Sequence, residues 1–154
     1  KGAQLVLLGA GGASRGVIGP LLEAGVARVH IANRTAEKAL TVAGLFNQQV
    51  TASGFTDIPG ERWQLLVNAT SSGLSQQRPD LDEVHLDACQ LAYDMMYGKQ
   101  PTTFLLWCQQ HNVPVCADGI GMLVAQAAAS FAIWRGVEPD VVPVLEKITA
   151  LVRA

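Results

Sequence analysis

Apolar residues fall in two alternating patterns along this chain: short unbroken runs, and longer stretches in which they recur every third or fourth position. A short apolar run between turn residues fits a strand buried on both faces; the longer spacing fits a helix with one covered side. The runs predict strands over Gln4–Leu8, Arg28–Ala32, Val50–Ser53, 63–68, Leu91–Asp94 and 113–117. The longer pattern predicts helices over 13–24, 36–46, 103–111, 122–135 and 139–152. Their expected inner residues are Val17, Ile18, Leu21 and Leu22; Ala39, Leu40, Ala43, Leu45 and Phe46; Phe104, Leu105 and Trp107; and, last, Val141, Val142, Leu145, Ile148 and Leu151. Pro20 should remove one backbone hydrogen bond from the first helix, and Gly25 should close it. Thr102 or Thr103 caps the third. The stretch 74–90 is the least regular, with an exposed loop at Gln76 to Pro79 and one helical turn at 81–86. The 122–135 helix is apolar nearly all round, so it should be buried or covered by a partner.

Strands alternating with helices call for a mainly parallel sheet, covered on both faces and joined by right-handed crossovers. The expected fold is therefore α/β and doubly wound, a Rossmann-type sheet in a single domain over 1–154. No internal repeat, low-complexity run or linker interrupts it.

Composition narrows the function. The chain has 154 residues, 49% of them hydrophobic and 16% charged, which suits one domain with a substantial core. A net charge of −2 argues against a nucleic-acid groove. No apolar run reaches the length of a membrane span. Cys89, Cys108 and Cys116 are odd in number and lack C-x-x-C spacing, which fits reduced thiols in the cytoplasm. A metal site would need Cys108, His111 and Cys116 to converge, and their spacing is not one that metals favour. The chain opens at Lys1 and enters a strand almost at once, as a piece cut from a longer protein would.

Candidate chemistry gathers where predicted strands end. Leu5 to Leu8 breaks into Gly9-Ala10-Gly11-Gly12-Ala13-Ser14, and a helix follows. A helix N-terminus carries unpaired N–H groups and a partial positive charge, and glycines let a phosphate approach them. Gly9 suits the tight turn and Gly11 the close approach; Ser14 stands where the fingerprint G-x-G-x-x-G has its third glycine. The alternative is a glycine-rich turn with no ligand. The second strand ends in Asn33-Arg34-Thr35, with Lys38 one turn into the next helix. An acid at this tip binds the ribose hydroxyl of NAD, whereas a guanidinium accommodates the 2′-phosphate of NADP. The tip thus favours NADP, against the alternative of a solvated arginine beside a capping Thr35. Asn68-Ala-Thr-Ser-Ser-Gly73 closes the fourth strand with short hydroxyls suited to ribose and phosphate, or simply forms a polar loop. Met95-Met96-Tyr97-Gly98 follows the fifth. Gln126 is the polar exception on an apolar helix.

Gly9-Ala-Gly-Gly-Ala13-Ser14-Arg15, Asn33-Arg34-Thr35, Asn68-Ala-Thr-Ser-Ser-Gly73, Tyr93-Asp-Met-Met-Tyr97 and Asp118-Gly-Ile-Gly-Met-Leu-Val-Ala-Gln126 stand together in one order and spacing. In these motifs the chain resembles the shikimate dehydrogenase family over essentially its whole length. The resemblance implies an NADP-dependent oxidoreductase of aromatic amino-acid biosynthesis that interconverts 3-dehydroshikimate and shikimate. It implies that Gly9, Ala10, Gly11, Gly12 and Ala13 hold the pyrophosphate, and that Asn33, Arg34, Thr35 and Lys38 hold the adenosine 2′-phosphate end. Thr70 and Ser71 would line the cofactor, Met95 and Gly119 would lie by the nicotinamide, and Tyr97 and Gln126 would reach the substrate. The family's catalytic Lys–Asp pair belongs to a substrate domain that precedes this region. Lys99 lies in a different motif and does not replace that lysine. The implied reading is the C-terminal cofactor-binding part of such an enzyme, with no catalytic residue of its own and no turnover alone. Its bare apolar helix is expected to favour self-association. Quinate in place of shikimate stays open, as does a stand-alone nucleotide-binding module without chemistry.

Overall fold

The structure is a computed structural model that describes residues 1–70, 81 and 86–154. Its elements run β1 (Gln4–Leu8), α1 (Gly12–Glu23), β2 (Arg28–Ala32), α2 (Ala36–Ala43), β3 (Val50–Ser53), a 3-10 turn (Phe55–Asp57), β4 (Leu65–Asn68), β5 (Leu91–Asp94), α3 (Thr103–Gln110), β6 (Val115–Ala117), α4 (Ile120–Arg135) and α5 (Val141–Arg153). The strands pair in parallel in the order β3-β2-β1-β4-β5-β6, the doubly wound arrangement expected from the alternation. The order reverses between β1 and β4. Chain leaving these two strands departs in opposite directions, and that divergence opens a crevice at their carboxyl ends.

Burial on both faces explains why β1 is an uninterrupted apolar run. Leu5, Val6, Leu7 and Leu8 are all fully buried, with alternate side chains on opposite faces. Leu5 and Leu7 pack with Ile18, Val29, Ile31, Ala39 and Val42 on one side. Val6 and Leu8 pack with Trp63, Leu66, Phe104, Leu105 and Trp107 on the other. Thr102, rather than Thr103, caps α3: its Oγ1 accepts from Leu105 N at 3.3 Å. β6 starts two residues later than expected, because Pro114 has no N–H to give to a ladder.

Two helices depart from the expected packing. α2 ends at Ala43, earlier than expected; its buried residues are Ala39 and Val42, while Leu40 is 56% exposed and Leu45, past the helix end, is 64% exposed. Ala39, Val42, Ala43 and Phe46 follow helical spacing on the side facing the sheet, and Leu40 lies off that stripe. In α5 no residue is buried: Val141, Val142, Leu145 and Leu151 are exposed and Ile148 is only half-buried. α5 packs on α4, which is itself buried only at Ile120 and Val124.

Candidate cofactor-binding site

The turn after β1 is built on Gly9, whose φ of +101° places it in the region that favours glycine. A Cβ there would meet Thr70 Cγ2 at 3.1 Å and the Ala69 backbone at 3.2 Å. Gly9 N donates to Ala32 O at 2.7 Å, which ties the turn to the tip of β2. Ser14 is fully buried, and its hydroxyl donates to Gly9 O at 2.7 Å. The serine at the third-glycine position therefore pins the turn to the first turn of α1, a task that its small size alone does not predict. Gly11 and Gly12 face nothing within 4 Å, and no side chain caps α1. Gly11, Gly12 and Ala13 are exposed at the start of that helix, and its first turn carries no acidic residue. An anion fits there on chemistry and on room.

The tip of β2 brings Asn33, Arg34, Thr35 and Lys38 beside this turn. Asn33 N donates to Ser53 O at 3.2 Å, and Asn33 Nδ2 donates to Thr35 O at 2.9 Å. Thr35 occupies the N-cap of α2 but makes no side-chain capping bond. Arg34 and Lys38 are exposed and pair with no carboxylate among the described residues. β2 also holds a buried histidine, on the sheet face that carries Trp63 and opposite α2. His30 is 2% exposed, with Nδ1 2.8 Å from Thr51 Oγ1 and Nε2 2.9 Å from Ser53 Oγ. Ser53 Oγ spends its own proton on Gly54 O at 2.7 Å, so it accepts from His30 Nε2–H. Nδ1 then accepts from Thr51, and the ring is neutral. Burial is the main reason its pKa falls to about 4, opposed by Glu61 and assisted by Arg28. The signal in the sequence was one histidine between Val29 and Ile31 in a strand whose other interior residues are apolar.

The tips of β4 and β5 carry a buried polar network. Asn68 and Asp94 are paired across the sheet and almost wholly buried. Asn68 Nδ2 donates to Asp94 Oδ1 at 3.2 Å. Thr70 N and Oγ1 donate to Asn68 Oδ1 at 3.1 and 2.7 Å. Asp94 Oδ1 also accepts from Met96 N at 3.0 Å, and Oδ2 accepts from Thr102 Oγ1 at 2.6 Å. Burial raises the Asp94 pKa, while the hydrogen bonds from Thr102, Met96 and Asn68 oppose the rise. Gly119 N donates to Met96 O at 3.1 Å, and a Cβ on Gly119 would collide with the Met95 carbonyl. Thus the structure brings Gly9, Thr70, Met95 and Gly119 into one continuous rim. Ser71 lies outside the described residues. Tyr97 and Gln126 are exposed, and neither side chain makes a hydrogen bond among the described residues.

Of two cavities near this rim, one lies off it and the other reaches it at Met95. A space of about 650 Å3 at the β6 edge is lined by Lys99, Gln109, Cys116, Asp118, Leu145 and Arg153, and none of the expected site residues borders it. An apolar groove of about 330 Å3 lies between α1 and α4, over β4 and β5, and Met95 and Met122 line it. The three cysteines are free thiols, and burial raises the pKa of each. His111 turns its ring onto Trp107, with centroids 4.7 Å apart, and its Nδ1 lies 2.8 Å from Trp107 O. Among the described residues no three metal-ligating side chains converge, and no helix is long and apolar enough to cross a membrane.

The family model "Shikimate / quinate 5-dehydrogenase" matches residues 1–77, and "Shikimate 5'-dehydrogenase C-terminal domain" matches residues 119–149. The chain belongs to the shikimate/quinate dehydrogenase family. A shikimate dehydrogenase (NADP(+)) of Pseudoalteromonas atlantica is 48% identical over 149 residues, covering 95% of this chain and 55% of that protein. An Ael1 enzyme from Pseudomonas putida, solved by crystallography, superposes with a TM-score of 0.88 at 40% identity, over 97% of this chain and 55% of that one. A shikimate 5-dehydrogenase of Thermus thermophilus, in complex with shikimate, superposes with a TM-score of 0.75 at 31% identity, over 100% of this chain and 56% of that one. This member of the shikimate/quinate dehydrogenase family therefore spans about half the length of the relatives it matches. The family matches cover both the glycine turn and Gly119, so they include both ends of the rim.

Proposed function

We propose that this chain is the NADP-binding part of a shikimate dehydrogenase, an oxidoreductase that reduces 3-dehydroshikimate to shikimate. The observation that carries the reading is the contrast within one turn. At Gly9 a Cβ would crowd Thr70 and Ala69, at a φ that strains any other residue, while a Cβ at Gly11 or Gly12 would meet nothing within 4 Å at the uncapped start of α1. Close packing behind and open space in front is what a backbone needs to hold a pyrophosphate. The unpaired Arg34 and Lys38, beside a tip without a carboxylate, support the 2′-phosphate of NADP over the free hydroxyl of NAD.

On this reading Gly9 to Ala13 hold the inner phosphates, and Asn33, Arg34, Thr35 and Lys38 hold the outer one. Thr70, Ser71, Met95 and Gly119 border the nicotinamide half. When bound, NADPH supplies hydride chemistry to the carbonyl of the substrate. The chain's own part is to orient that half against the rim. Exposed and uncommitted, Tyr97 and Gln126 are the residues assigned to the substrate. The proton donor belongs to the substrate domain that the family resemblance implies, within the length of the relatives that this chain does not span. Binding without turnover is the consequence. Parallel calorimetric titrations with NADP and NAD test the reading. Wild-type chain is expected to prefer NADP, and Arg34→Ala to weaken NADP about tenfold or more while changing NAD less than about twofold. Equal losses for both cofactors remove Arg34 from the site, and no binding of either removes the function.

A further inference from the structure

The strap 95–97, which carries Met95 and Tyr97, must be held still if it is to border a cofactor, and the hydrogen bonds show what holds it. Asp94 is 0% exposed and accepts from three donors on three separate pieces of chain. Asn68 Nδ2 comes from the tip of β4, Met96 N from the strap, and Thr102 Oγ1 from the cap of α3. From there the connections continue outward. Asn68 fixes Thr70 through two bonds to its Oδ1, and Asn68 O accepts from Met95 N at 2.9 Å. Met96 O in turn accepts from Gly119 N at 3.1 Å, at the start of α4. Thr70, Met95 and Gly119, three residues of the proposed nicotinamide side, are each tied directly or through one residue to a single buried carboxylate. Asn33, Arg34 and Lys38 are not: they lie across the Gly9 turn, after β2 and in the first turn of α2.

We propose that Asp94, acting through Asn68 and Met96, is the positioning residue for the nicotinamide half of the cofactor site and has no part in holding the adenosine half. This rests on the NADP reading above. Geometry is the reason a carboxylate stands there. Two of the three donors converge on one oxygen, Oδ1, and the third reaches the other, so a planar terminal group with several lone pairs on Oδ1 suits the position. An alanine would leave Asn68 Nδ2, Met96 N and the Thr102 hydroxyl without their buried acceptor, and the strap would be released.

The test compares two ligands on the full chain. NADPH reports both halves of the site, and adenosine 2′,5′-bisphosphate reports only the adenosine half. Asp94→Ala is expected to weaken NADPH about tenfold while changing the bisphosphate less than about twofold. Asp94→Asn keeps Oδ1 as acceptor and turns an amide toward Thr102, so it is expected to recover NADPH binding to within about threefold of wild type. Thr102→Val removes one arm of the network together with the α3 cap at Leu105 N, and serves should Asp94→Ala not fold; the same selectivity is expected with a smaller loss. Equal weakening of both ligands in Asp94→Ala or Thr102→Val assigns the network to general stability and overturns the proposal. So does an Asp94→Asn variant as weak as the alanine, which would make charge the operative property. If all variants bind NADPH like wild type, the positioning role is wrong while the cofactor reading stands. Wild-type chain that binds neither ligand overturns both.

Discussion

β1 and α4 are both almost wholly apolar, yet they meet opposite fates. Every residue from Leu5 to Leu8 is fully buried, whereas Ile133 is 81% and Trp134 79% exposed near the end of α4. The strand has a layer on each face: α1 and α2 on one, α3 and Trp63 on the other. Among the described residues, the helix is buried only at Ile120 and Val124 in its first turns, and it then packs on α5, none of whose residues is buried. Apolar content supplies the driving force for burial, but only a facing layer turns it into a core. Polar residues follow the same division. Asn68, Asp94, Ser14 and His30 are buried and hydrogen-bonded in the sheet region, while Gln126 on α4 is exposed.

Truncation in the two regions should expose the contrast most strongly. Leu7→Ala leaves a cavity between two packed layers, and urea unfolding is expected to show a loss of about 2–5 kcal/mol. A loss below about 1 kcal/mol would mean that the sheet core is far looser than its burial indicates.

Acidification should weaken the sheet region next. His30 has its folded pKa lowered to about 4, below the unfolded value of 6.5, so the unfolded chain takes up its proton first as pH falls. Its contribution is fully present above pH 6.5, declines below it, and is gone near pH 4, a change on the order of 3 kcal/mol. Urea midpoints measured from pH 7 to 4 should fall for wild type and fall less for His30→Gln. Identical slopes would show that His30 is not the group responsible.

At the small end, Trp134→Ser should alter folding stability by less than about 0.5 kcal/mol, because little of that side chain leaves water on folding. A cost comparable to that of Leu7→Ala would erase the distinction between the two regions.

Much of this was legible without coordinates. Alternation of apolar runs with helical spacing specified the parallel α/β class, and β1, β2, β3 and β5 begin and end where the pattern places them. Gly9 stood out by residue type, because a glycine at the end of an apolar run invites a turn, whereas Gly119 was implicated only by the family resemblance. Less legible were side chains whose task depends on a partner far along the chain. Asp94 reads as one letter in a motif until Asn68, Met96 and Thr102 converge on it. His30 reads as a polar interruption until Thr51 and Ser53 arrive on the neighbouring strand. Leu40 and the inner residues expected for α5 were misplaced for a related reason: periodicity gives a helix an apolar side but does not say what faces it.

Sequence by itself determined the order of elements, the glycine turn and the carboxylate-free tip of β2, because these follow from local backbone preference, spacing and charge. Tertiary structure alone decided which polar groups lock the strand ends together and which apolar faces are covered. Both outcomes depend on the meeting of segments 20 to 60 residues apart, as when Asn68 reaches Asp94 or Gln4 N donates to Gln64 Oε1 at 2.7 Å. Local propensity carries no information about such encounters; they are fixed when the sheet closes and water is expelled from between its layers.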